Sequence, residues 1–272
     1  MVEVILEPFT YGFVVRGLVA GLLSAVACAV LSAFVVWRGM AFVGDALAHA
    51  ILPGIVVAYA FGFSLFLGAL GAGALAVVGI GVLSGRKGLK EDTAIGVVFA
   101  GFFALGILLL SQIATYQDLS HVLFGNILGV ARSDLLAMSL VVGVVLLGTV
   151  ASYKELVVAS FDPAHSVAIG LSPEVIRYLL LFLLGLTTVV AIQSVGVVLV
   201  LALLVTPGAA ASMLFKKLHV IVGVAVIFAV VATLVGFYAS YYWDVASGPA
   251  IVLALTALFI LSFGLGRLRG RT

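Results

Sequence analysis

The chain has 272 residues, 65% of them hydrophobic and only 9% charged, with a mean hydropathy of +1.40. Soluble domains carry about 25% charged residues, so a water-soluble fold is excluded and a polytopic membrane protein is implied. With a formal net charge of +2, no nucleic-acid partner is expected, and the single cysteine, Cys28, rules out a disulfide within the chain or a thiolate cluster.

Apolar runs long enough to cross ~30 Å of hydrocarbon recur along the whole length. They predict an all-α transmembrane bundle, read as one transmembrane domain over residues 1–272. In chain order the expected spans cover residues 12–36, 41–62, 64–83, 94–112, 135–152, 174–193, 194–214, 219–240 and 250–266. Eight spans remain an alternative, because the run from Tyr178 to Leu214 can be cut elsewhere. The stretch from His121 to Val130 is too short to cross and reads as a surface or re-entrant helix. The first ten residues carry Glu3 and Glu7 and no basic residue, so the first span is expected to be retained. With Arg267, Arg269 and Arg271 inside, alternation puts 11 of the 13 basic residues on that side, leaving Arg16 and Arg132 outside. This bias predicts the N-terminus out and the C-terminus in. Small residues four apart, such as Gly17 with Gly21, Gly81 with Gly85 and Gly125 with Gly129, are candidate packing seams.

The second span carries the costliest residues. Asp45 and His49 stand one turn apart, on one helix face, with Cβ atoms roughly 6 Å apart. An Asp at mid-membrane costs at least ~2.5 kcal/mol, which makes function the default reading for the pair. Counted as helix from Arg38, the two lie roughly 10 and 16 Å into the membrane. A carboxylate with an imidazole suits manganese, ferrous iron or zinc, whereas copper would want soft ligands, and Met1, Met40, Met138 and Met213 do not cluster. Two ligands leave the shell incomplete, so other helices, a symmetry mate or water must complete it. A structural Asp–His hydrogen bond is the competing reading. Pro53, four residues past His49, is expected to kink the span and free carbonyls there.

Further along, Gln193 and Ser194 fall at a proposed break between two spans, and Thr206 precedes Pro207. Gln193 lines a pathway or serves as hydrogen-bonding glue between helices. Tyr238, Tyr241, Tyr242 and Trp243 read as an interfacial aromatic belt, with Asp244 on the outer loop as a candidate attractor of cations. His121, His165 and His219 read as solvated. On the cytoplasmic side, Asp162 is a predicted N-cap with Pro163 at the first helical position. The short helix it starts is ended by Gly170, and Ser172-Pro173 begins the next.

The stretch Arg38-Gly39-Met40-Ala41-Phe42-Val43-Gly44-Asp45-Ala46-Leu47-Ala48-His49-Ala50 resembles the signature of the permease subunits of bacterial manganese/zinc/iron ABC importers. The resemblance continues through Phe161-Asp162-Pro163 with Ala168-Ile169-Gly170-Leu171, through residues 196–207, and through Ser247-Gly248-Pro249. Residues 49–54 and 121–128 look more like the manganese-type permeases than the zinc-type ones. The resemblance implies a homodimer in the bacterial plasma membrane, two cytoplasmic ATP-binding cassette ATPase subunits, and an extracytoplasmic metal-binding protein. It implies that Asp45 and His49 belong to the translocation site. It further implies that residues 162–172, with Asp162, Pro163, Ala164, Ala168, Gly170 and Leu171, form the coupling helix.

No G-x-x-x-x-G-K-[ST] phosphate loop occurs, so ATP hydrolysis is expected from partners, and no catalytic residue or resident cofactor is expected. The leading expectation is ATP-driven import of a divalent metal, manganese ahead of iron or zinc, by alternating access. In the inward-facing state at least one ligand is lost, through protonation of His49. A stand-alone secondary transporter or channel is the alternative. A membrane-embedded metalloenzyme lacks H-E-x-x-H and an evident nucleophile and base.

Overall fold

The computed structural model describes residues 7–85, 89–112 and 129–268, the side chains of Pro8 and Gln193 excepted. After a single 3₁₀ turn at Glu7–Thr10, its helices are α1 (Gly12–Trp37), α2 (Val43–Ala50), α3 (Leu52–Phe61), α4 (Leu65–Ser84), α5 (Glu91–Ser111) and α6 (Arg132–Ala151). They continue with α7 (Tyr153–Phe161), α8 (Pro163–Ala168), α9 (Pro173–Val195), α10 (Val197–Leu214), α11 (Leu218–Trp243) and α12 (Ser247–Leu268). Counting α2 and α3 as one interrupted span, nine helical segments among the described residues are long and apolar enough to cross a membrane. The all-α, nine-span expectation holds. The stretch from His121 to residue 128 lies outside the described residues, as do Gly125, Arg86, Lys87, Arg269 and Arg271.

Two boundaries differ from expectation, each for a local reason. The break placed at Gln193 and Ser194 falls instead at Gly196, whose φ of 84° and ψ of 163° are open to glycine and strained for other residues. Ser194 is therefore a buried residue of the last turn of α9 rather than part of a loop. The second span is cut in two at Ile51. Pro53 has no N–H for the carbonyl of His49, and the helix restarts at Leu52 with the proline in its first turn.

The helices gather into two compact units. The first joins residues 1–36, 119–146 and 191–272, and so contains α1, most of α6, and α10 to α12. Within it a cluster of Val14, Leu18 and Phe237 packs α1 on α11, with Leu22, Leu234 and Tyr241 around it. Glycine sets the close approaches. A Cβ on Gly208 would lie 2.7 Å from the backbone of Ser32, and one on Gly236 would strike the backbone of Ile251. Arg16 donates to the Val130 carbonyl at 3.0 Å.

The second unit joins residues 37–118 and 147–190. Here α3 crosses α4 at a point where Gly54 and Gly68 face one another's carbonyls, so a Cβ on either would collide with the other's backbone. Small residues let helix backbones touch where lipid offers no hydrophobic drive to association. Gly81 receives the ring of Tyr178 from α9 in the same way, which bears out one of the three proposed seams. Outside these contacts the helices present bare aliphatic side chains: Leu140 is 73% exposed, Leu147 72% and Leu253 69%. Acyl chains can cover such a surface; water cannot.

Candidate metal centre

Helix α2 is only eight residues long and carries both polar residues of the second span, Asp45 in its first turn and His49 in its last. The 3.6-residue period sets them on one face. Nδ1 of His49 lies 3.3 Å from Asp45 Oδ1 and 3.0 Å from the Asp45 carbonyl oxygen. Both oxygens are acceptors, so in a neutral ring this geometry favours the tautomer with the proton on Nδ1 and the lone pair on Nε2. A ring held through one nitrogen presents the other in a fixed direction, the arrangement typical of metal-ligating histidines. The side chains remain 34% exposed for Asp45 and 23% for His49, while Val43, Gly44, Ala46, Leu47 and Ala48 around them are buried. The pair is thus a polar window in an apolar element.

Two features refine the expected geometry. Residues between Arg38 and Val43 form turns rather than helix, so 1.5 Å per residue does not apply to them. Counted from Val43, Asp45 and His49 stand ~3 and ~9 Å along the span, nearer its start than its middle. The His49 carbonyl, freed from Pro53, is met by the N–H of Ile51 instead of standing open.

Sequence patterning missed the second wall of the site. Phe99 and Phe103, one turn apart on α5, stand edge-on to the imidazole with ring centroids 5.5 and 5.1 Å away, and stack on each other at 5.8 Å. They form an apolar wall beside the imidazole. Their i, i+4 spacing was visible, but 18 phenylalanines made it indistinct.

Among the described residues no group of three or more His, Cys, Asp or Glu comes together to hold a metal ion, so Asp45 and His49 form at most part of a coordination shell. The other candidates belong to other helices. Ser194 is buried in the first unit, and the side chain of Gln193 lies outside the description. Asp244 closes α11 in the left-handed conformation at φ 50°, which Asp tolerates better than most residues, and Trp243 beside it is 76% exposed. His165 and His219 are exposed, as expected.

The connector between α7 and α9 has the predicted form. Asp162 Oδ1 accepts the N–H of His165 at 2.8 Å, Pro163 occupies the first helical position of α8, and Gly170 turns the chain at φ 84°. Ser166 alone faces inward, donating to the Pro163 carbonyl at 2.8 Å. Phe161, Val167 and Ile169 are 46%, 62% and 53% exposed, an apolar face on a segment outside the candidate spans.

The ABC 3 transport family matches residues 10–266. The chain is 44% identical over 259 residues to the manganese transport system membrane protein MntC of Halalkalibacterium halodurans, covering 94% of this chain and 88% of that protein. It is 41% identical over 260 residues to the chelated iron transport system membrane protein YfeD of Yersinia pestis, covering 96% and 88%. A solved structure of PsaBC from Streptococcus pneumoniae in complex with Fab is similar in fold, with a TM-score of 0.84, 34% identity, and coverage of 97% of this chain and 95% of that one.

Proposed function

The chain belongs to the ABC 3 transport family, and on that premise we propose that it is the membrane subunit of an ATP-driven importer of a divalent transition-metal ion. Manganese is the first candidate cargo and ferrous iron the second, in line with relatives named for manganese and chelated-iron transport; zinc is the third. The observation that carries the reading is the Asp45–His49 pair, with Nδ1 tied down and Nε2 left for a ligand in an otherwise apolar span. A carboxylate oxygen and one imidazole nitrogen form a borderline-hard donor set suited to these ions. Because they fill only part of a shell, release needs the loss of few bonds, as a transport site requires.

The energy comes from partners. The sequence holds no phosphate-binding loop, so two ATPase subunits dock at the cytoplasmic end, and the exposed apolar face around α8 is the surface they grip. Asp162, Pro163, Ala164, Ala168, Gly170 and Leu171 shape that knob. A second copy of the chain completes the membrane portion, and an extracytoplasmic binding protein delivers the metal. Charge bias sets the orientation in the bacterial plasma membrane, with the N-terminus out and the C-terminus in.

Radioactive manganese uptake into liposomes holding the chain, its ATPase and its binding protein tests the site. Asp45→Ala and His49→Ala each reduce uptake to background while the chain still inserts and elutes as a single species. Wild-type uptake by both variants would refute the assignment.

A further inference from the structure

Three charged side chains gather in the second unit on elements that lead to the metal pair. Arg38, in the turn before α2, lies 3.7 Å from Glu91, the first residue of α5, with side chains only 13% and 21% exposed. Arg177, five residues into α9, donates to the carbonyls of Gly81 at 3.0 Å and Ser84 at 3.4 Å, closing the last turn of α4. It also pairs with Glu174 at 3.6 Å and lies 5.7 Å from the Tyr178 ring centroid. Burial pushes Arg38 down from its ordinary pKa, Glu91 raises it again, and the charge of Arg177 lowers it.

Stability alone does not account for this cluster. Arg38 Nη1, Glu91 Oε1 and Arg177 Nε are buried without a hydrogen-bond partner among the described residues. A partly satisfied buried ion pair is a poor stabiliser compared with apolar side chains of the same size, and its best-attested use is to fix a register or a switch. Unfilled donors and an unfilled acceptor let such a cluster exchange partners when one element shifts. Its connections run in two directions. Arg177 follows α8 by nine residues, at the head of the helix that the cytoplasmic knob leads into. Arg38 precedes Asp45 by seven residues, and Glu91 heads the helix whose Phe99 and Phe103 back His49.

We propose that Arg38 is a positioning residue for transport: held by Glu91, it ties the turn that enters the helix of Asp45 and His49 to the head of the helix whose phenylalanines back His49, so that the two move together when the transporter changes state. This rests on the importer reading above. It assigns the cluster a role in coupling, with neither metal ligation nor ATPase docking falling to these side chains.

The test uses the reconstituted importer with Arg38→Ala, Glu91→Ala and the exchanged pair Arg38→Glu/Glu91→Arg. In the single variants, manganese transported per ATP hydrolysed falls roughly tenfold, while manganese binding to the purified chain and ATPase copurification stay within about threefold of wild type; the exchanged pair recovers most of the loss. Transport per ATP unchanged in both single variants would overturn the proposal. So would loss of metal binding or of ATPase association that the exchange does not repair, because that pattern belongs to a folding element. An importer reading that is itself wrong shows differently: the wild-type chain then transports no metal at all.

Discussion

His49 is constrained on two sides, by oxygens of Asp45 on its own helix and by two phenylalanine edges from α5. In a neutral ring the first favours a proton on Nδ1, and the second packs apolar rings against the imidazole. An edge-on aromatic contact contributes about 1 kcal/mol, so Phe103→Ala should weaken manganese binding roughly fivefold and leave insertion intact. Calorimetric titration of the purified chain measures this; unaltered affinity would leave the ring as packing only. At this scale the sequence was legible where a residue is costly. Asp45 and His49 stand out because lipid penalises them, whereas Phe99 and Phe103 are apolar residues in an apolar span and carry no such mark. Arg38 was legible as a charge at a membrane boundary, but its partner was not, because Glu91 is 53 positions away and only the folded chain joins them.

Local rules account for α8 well. An Asp N-cap, a proline at the first position and a positive-φ glycine are all written within nine residues, and the folded segment uses each of them. Loss of an N-cap costs about 1 kcal/mol, and Asn caps as well as Asp does. Asp162→Ala should therefore lower ATPase affinity for the permease roughly fivefold, with Asp162→Asn close to wild type. Pull-down titration against the ATPase subunit reads the difference, and equal affinity in Asp162→Ala would separate the capped conformation from docking. Helix crossings follow a different logic. Gly54 with Ala58 and Gly68 with Ala72 meet across two helices at the same four-residue spacing that marked a contact at Gly81, but among 31 glycines the spacing alone does not say which helix faces which. The same difficulty displaced one boundary: composition drew attention to polar Gln193 and Ser194, but backbone geometry put the turn at Gly196.

Over the whole chain, hydrophobic run length favoured nine spans over eight, and nine helical segments among the described residues meet that length, because the bilayer imposes a nearly constant length on each. It could not divide them into units, since that depends on which lipid-compatible faces prefer one another. Nor could it bring further ligand residues to Asp45 and His49, and among the described residues no group of three or more His, Cys, Asp or Glu comes together. The second unit holds Asp45 and His49, the charged side chains Arg38, Glu91 and Arg177, and α8 together. This is the grouping expected of a subunit that converts partner ATPase closure into a change at an ion site. The central claim is that the chain moves metal only with such a partner. The most direct measurement is manganese uptake into liposomes containing the purified chain, with and without its ATPase and binding protein, in the presence of ATP. Uptake that requires both partners and ATP is the predicted result; sustained uptake by the chain alone would contradict the account.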